Sequence, residues 1–188
     1  MQQGLTMRRI ASLSFLTLAA SGALADQWRM QGKGELLFEP TWEGEAVPGR
    51  FESFDVRLDT GDGCVAGSEL EVTVNLDSAD MDDPDINEVI AGAEWFAVDE
   101  HPVATYTSDS IKEAADGGYV ASGHLELKGV RLPVNVPFQW SASGDRAEMS
   151  GELAIERTRF DVGSGEWSNG ETIGTEVRVS FDVILERQ

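Results

Sequence analysis

The chain has 188 residues and a formal net charge of −20, from 34 acidic against 14 basic side chains. A field of that sign repels phosphate backbones and anionic headgroups, which excludes nucleic acid as a partner and disfavours docking on acidic lipid. Apolar residues still make up 41% of the chain and β-branched side chains are plentiful, so the acidity marks solubility and not disorder.

At the start, Met7-Arg8-Arg9 precedes an uncharged run over residues 10–18 and small residues ending Ala23-Leu24-Ala25. A basic n-region, a short apolar core and an A-x-A site are the three parts of a secretory signal peptide, expected over 1–25. The run is too short to cross a hydrocarbon layer of roughly 30 Å. Adjacent arginines fit the twin-arginine route, but their ordinary flanks favour general secretion. Cleavage would leave 26–188 as one soluble domain in the periplasm, with 12 basic residues against 34 acidic and a charge of −22. No later run is long and apolar enough to span a membrane.

Eight strand-like segments follow, at about 28–38, 51–58, 69–76, 103–111, 119–127, 130–140, 146–156 and 176–186. The first is interrupted by glycine. The third is the cleanest: Leu70, Val72, Val74 and Leu76 alternate with Glu69, Glu71, Thr73 and Asn75. Successive side chains of a strand point to opposite sides, so such alternation gives a single apolar wall. The single cysteine, Cys64, precludes an intrachain disulfide; its Gly-rich surroundings suit a loop bystander better than a reactive or dimer-forming thiol.

Residues 85–96 break the pattern. Ile86, Val89, Ile90, Ala93 and Phe96 recur at helical spacing, giving a short helix or flap beside the sheet. Asp80, Asp82, Asp83 and Asp85 before it invite a calcium reading, but the EF-hand glycine and glutamate are missing and Pro84 interrupts, so a solvated turn and helix start is expected. His101 invites a metal-ligand or proton-switch reading, but neither it nor His124 has a partner at metal-ligand spacing and both read as loop residues; no metal site is expected.

The hairpin at 126–138 shows the strand signal most fully. After the turn at Gly129, Val130, Leu132, Val134, Val136 and Phe138 share one face, with Pro133 and Pro137 on the other. The same period recurs at Leu153 and Ile155, then at Val177, Val179, Phe181, Val183 and Leu185. Eight antiparallel strands of this kind close into a barrel just wide enough for side chains or one slim ligand. An immunoglobulin-like sandwich is the rival, though it needs neither the helix nor such long strands. Prolines lack a ladder donor, so their strand needs a rim or bulge position. Gly163-Ser164-Gly165 lacks the spacing of a nucleophile elbow and suits a long loop carrying Trp167.

Four motifs, in order along nearly the whole chain, resemble the YceI-like family of secreted lipocalin-like barrels. They are Val47-Pro48-Gly49-Arg50-Phe51, Ala93-Glu94-Trp95-Phe96-Ala97-Val98 followed by His101-Pro102, Leu125 to Val134, and Ile155-Glu156-Arg157-Thr158-Arg159-Phe160-Asp161-Val162-Gly163. Where the family often has His-Leu in the helix this chain has Val89-Ile90, and Leu132 replaces a frequent basic residue. The resemblance implies an all-β, eight-stranded antiparallel lipocalin-like barrel that carries a long apolar lipid, a polyisoprenoid or a quinone tail, with no other cofactor.

On that reading the bore is expected to be lined by Val72, Val74, Val134, Val136, Phe138, Ile155, Val179, Phe181 and Val183, with Trp95 and Phe96 near the mouth. A core filled by the same side chains is the competing reading, since parity does not distinguish them. Arg157 shares the parity of Leu153 and Ile155; it is expected to bind a buried carboxylate or, second, a ligand headgroup. Two further function classes stay open: an acidic interaction module docking on a membrane redox protein, and a secreted hydrolase using paired carboxylates. A homodimer also stays open.

Overall fold

The computed structural model describes residues 26–32, 34–61 and 63–188; the expected signal peptide lies outside the described residues. The strands are β1 (Asp26–Met30), β2 (Glu35–Glu39), β3 (Thr41–Trp42), β4 (Glu45–Ala46), β5 (Gly49–Phe51), β6 (Phe54–Thr60), β7 (Glu69–Asn75) and β8 (Ala79–Asp80). One helix, α1 (Pro84–Ala91), precedes β9 (Val103–Glu113), β10 (Tyr119–Leu127), β11 (Val130–Ser143), β12 (Arg146–Glu156) and β13 (Glu176–Arg187).

Eight of these strands form a closed antiparallel ring in the order β1-β6-β7-β9-β10-β11-β12-β13, sealed by β13 pairing back onto β1. The expected barrel with one short helix is therefore the fold. What reads as one opening segment is two strands, β1 and β2. β1 pairs with the end of β13 through Met30 and Leu185, whereas β2 pairs with its start through Phe38 and Val179. Three short strands extend that second half of the wall: β2 joins β5, and β5 joins β8.

Turn chemistry explains the longest hairpin. Lys128 and Gly129 both take positive φ, 50° and 74°, the pair of left-handed residues a tight two-residue turn needs between Leu127 and Val130. Downstream, β11 pairs with β10 along Val130–Phe138 but reaches β12 only from Gln139 onward. Pro133 and Pro137 sit in the stretch with no β12 ladder, where their missing N–H groups cost little.

The helix is shorter than its apolar period suggests. Asp83 caps it, its Oδ1 accepting from the backbone N–H of Asp85 at 3.0 Å and of Ile86 at 3.3 Å, with Pro84 in the first turn. Gly92 ends it, and residues 92–100 continue as turns that carry Trp95 and Phe96 inward. No helix among the described residues is long and apolar enough to cross a membrane.

Packing divides the barrel into two halves. At one end Trp28, Leu58, Leu70, Ile111, Phe138, Met149 and Leu185 fill the interior, all 4% exposed or less. Trp28 meets Trp140 edge-on at 5.3 Å between ring centres, and the Arg187 guanidinium covers its face at 4.9 Å. At the other end Phe38, Leu76, Ile90, Trp95, Phe96, Phe160 and Val162 form a second cluster around the helix and the loops.

Candidate functional site: an apolar cavity at the open end

Between the two clusters lies a cavity of about 520 Å³, within the usual range of small-molecule sites. Its wall is carbon almost throughout. It is built from alternate residues of the barrel strands, such as Val72 and Val74 on β7, Val134 and Val136 on β11 and Val179 and Phe181 on β13. These valines remain only half-buried although they point inward, because they face the hollow and not one another.

The mouth lies between the β3–β4 hairpin, which contributes Pro40, Trp42 and Val47, and α1, which contributes Ile86 and Val89. Trp42 is 48% exposed and Val89 55%, the apolar rim of an otherwise acidic surface. Just inside, Phe38, Phe51 and Phe96 make an aromatic collar with ring centres 4.9 to 6.4 Å apart.

Of the residues expected to line the bore, Val72, Val74, Trp95, Phe96, Val134, Val136, Ile155, Val179, Phe181 and Val183 lie on the cavity wall, as does Arg157. Phe138 does not. It shares the face of Val136, but one step further along the strand the barrel is already filled, and its ring stacks on Tyr119 at 5.5 Å. Sequence reasoning missed Leu36, Phe38, Phe51, Phe54, Tyr106 and Leu125. Their signal was the same alternation in strands that glycines or polar neighbours had made less distinct.

Arg157 departs from its expected role. β12 ends at Glu156, so Arg157 opens a 3₁₀ turn and is 3% exposed. Among the described residues no carboxylate meets its fork. All five N–H groups donate to backbone carbonyls: Nε to Gly174 at 2.9 Å, Nη1 to Val162 and Gly163 at 2.8 and 3.0 Å, Nη2 to Trp167 and Ile173 at 2.6 and 2.7 Å. A guanidinium carries five donors, so none remains for a headgroup. Burial holds its pKa below the usual arginine value. Its plane also covers the Trp95 ring, 5.3 Å from the ring centre.

The loop that Arg157 organises is pinned to the segment after the helix. The backbone N–H groups of Gly163 and Ser164 both donate to the Glu94 carbonyl at 2.8 Å, and Trp167 Nε1 donates to Glu94 Oε2 at 3.1 Å. Gly163 is required here. Its φ is +71°, and a Cβ would collide with Arg157 Nη1 and press on Trp95 at 3.1 Å.

Other polar candidates have structural partners. Arg50 bonds Asp80 and, at 2.7 Å, Asp82, and that hydrogen bond lowers the Asp82 pKa. Asp80 Oδ1 accepts from Asn87 at 2.9 Å. The acidic run thus fixes the approach to α1. His124 Nδ1 lies 2.9 Å from Asp109 on the barrel exterior, and His101 packs against Gly129. Cys64 is exposed in the loop before β7. Within the wall, the Tyr106 hydroxyl donates to the Ala121 carbonyl at 2.9 Å, and burial pushes its pKa up to about 12.

A closed eight-stranded antiparallel barrel, plugged at one end and hollow and carbon-lined at the other, defines a lipocalin-like ligand-cavity protein. Residues 33–185 match the YceI-like domain, and the chain belongs to that family. It is 27% identical over 176 residues to the protein YceI of Salmonella newport, covering 86% of this chain and 88% of that protein. The structure of BcnA from Burkholderia cenocepacia is similar at 27% identity and a TM-score of 0.76, covering 80% of this chain and 95% of that one. A polyisoprenoid binding domain from Saccharophagus degradans shares the fold, with a TM-score of 0.68 at 19% identity over 86% of this chain and 98% of that one.

Proposed function

We propose that this protein is a non-enzymatic periplasmic carrier of a long apolar lipid, a polyisoprenoid or the tail of an isoprenoid quinone. The observation that carries the reading is the cavity of about 520 Å³, walled by inward-facing valines and open beside exposed Trp42 and Val89. Family membership and the polyisoprenoid binding domain that shares the fold support the same cargo class. The basic, apolar and A-x-A parts of residues 1–25 support export with cleavage after Ala25.

The energetics suit a chain-like guest. At about 0.8 kcal/mol per buried methylene, one isoprene unit contributes on the order of 3–4 kcal/mol gross. Ordering a flexible chain offsets much of that, so a few enclosed units give useful affinity while the rest extends through the mouth. Exposed Trp42 and Val89 would guide the tail from a bilayer into the collar formed by Phe38, Phe51 and Phe96. Among the described residues that line the cavity only Asp85 carries a carboxylate, which does not favour the two-carboxylate chemistry of a glycoside hydrolase.

Organic extraction of protein purified from its own host, followed by mass spectrometry, tests the reading. An isoprenoid chain present near one per protein supports it. Protein recovered without lipid, and unable to take up an added isoprenoid quinone, rules it out.

A further inference from the structure

Polar groups on the cavity wall are sorted by depth. The floor is apolar: Leu70, Met149 and Val183 line it and also belong to the closed cluster, 1 to 2% exposed. Elsewhere on the wall, Arg157 spends its five donors on carbonyls, the Tyr106 hydroxyl donates to Ala121 and Trp167 Nε1 donates to Glu94. Trp95 Nε1 is enclosed by protein. Among the described wall residues, the polar side chains left over are those of Thr41, Trp42 and Asp85, all at the mouth, on the hairpin and the first turn of α1. An oxygen carried down to the floor would lose its water and find no donor, which is costly. A guest with one polar end therefore enters tail first and leaves its head at the mouth.

The charge at that mouth is negative. Asp85 is exposed, as are Asp83 and Glu88 beside it on the helix side and Glu43 and Glu45 on the facing hairpin. Arg157, the one positive side chain among the described wall residues, is 3% exposed and fully bonded. Arg50, next to Phe51 of the collar, is held by Asp80 and Asp82. Even the helix N-terminus, an ordinary anion site, is occupied from within, because Asp83 Oδ1 accepts from the N–H groups of Asp85 and Ile86. A phosphate head placed here would meet like charge and no counter-ion, whereas a hydroxyl or carbonyl head would not.

We propose that the mouth is a charge filter: the cavity takes isoprenoids with an uncharged head, tail first, and turns away their phosphate esters. Asp85 is the wall residue that sets this preference. The proposal rests on the cavity holding an isoprenoid chain, and the experiment separates the two.

A cavity of roughly 150 Å³ accepts benzene, about 25 Å³ per carbon, so about 520 Å³ suits about 20 carbons and a geranylgeranyl chain puts its head at the mouth. The probes are geranylgeraniol and geranylgeranyl phosphate, titrated below their aggregation limits and followed by tryptophan fluorescence. At low ionic strength the alcohol should bind at least about tenfold more tightly than the phosphate. That ratio should shrink several-fold in about 1 M salt, where the screening length is about 3 Å. It should shrink at least about threefold in Asp85→Lys, which reverses the free charge on the wall. The salt response of the unaltered protein does not depend on the variant folding. A phosphate that binds as tightly as the alcohol, or a ratio unmoved by both salt and the substitution, would overturn the charge filter and leave the cavity reading standing. A ratio that salt moves and Asp85→Lys does not would overturn the role of Asp85. If neither probe binds the unaltered protein, the cavity reading falls and the proposal with it.

Discussion

The two halves of the barrel are made from the same strands and the same alternation, yet one is filled and the other hollow. In the closed half, Leu58, Leu70, Met149 and Leu185 are 0 to 2% exposed, and large side chains from facing strands meet across the axis. In the open half, the inward positions of β7, β11 and β13 hold valine at Val72, Val74, Val134, Val136 and Val179, which reach less far. Short side chains opposite one another leave space that longer ones would close. The aromatic residues large enough to fill it, Phe38, Phe51, Phe96 and Trp95, are instead held at the rim against the helix and loops.

That contrast makes the same chemical change cost different amounts in the two halves. Leu58→Ala should destabilise by about 2–5 kcal/mol, since it leaves a new void in close packing. Val134→Ala should cost about 1 kcal/mol or less, because its methyl groups already lack neighbours on the cavity side. Urea melts of the two variants check this, and equal costs would contradict a hollow open half.

Arg157 belongs to the open half but does the structural work of a core. Arg157→Met leaves five carbonyls without their charged donor, and charged hydrogen bonds contribute about 1.5–3 kcal/mol each without adding fully. A loss of roughly 2–4 kcal/mol is expected, with faster proteolytic cutting within 163–174 than elsewhere. Unchanged protection of that loop would show that Arg157 does not organise it.

Tyr106 sits where the two halves meet, on the cavity wall and against the closed cluster. Its pKa rises to about 12, chiefly through burial, whereas an unfolded tyrosine titrates near about 10. Below pH ~10 both states are protonated and its contribution is intact. As pH climbs toward about 12 the unfolded chain gives up the proton first, and on the order of 2–3 kcal/mol of stability is lost. Tyr106→Phe should flatten that alkaline slope in denaturant melts. Its cost at neutral pH should be smaller, about 0.5–1.5 kcal/mol for the bond to Ala121.

Strand parity made the walls legible in the sequence, because an inward face needs only alternate apolar residues. What parity could not show is depth along the axis. Val136 and Phe138 are equivalent by alternation, yet one faces the hollow and the other is packed against Tyr119. The two- and three-residue strands β3, β4, β5 and β8 were not legible either, being too short to have a period. Arg157 read as inward-pointing, correctly, but its acceptors are loop carbonyls at 162–174, and carbonyls leave no trace in residue identity. The helix period continued past Ala91 because turn residues can also bury apolar side chains, as Phe96 does.

The most direct test follows isotope-filtered NMR contacts between the valine methyl groups and an unlabelled isoprenoid quinone. The account predicts contacts from the tail to Val72, Val134 and Val179, with none to Leu58 or Leu185 in the closed half. Bound quinone whose tail touches only surface residues, leaving those valine methyls unperturbed, would contradict it.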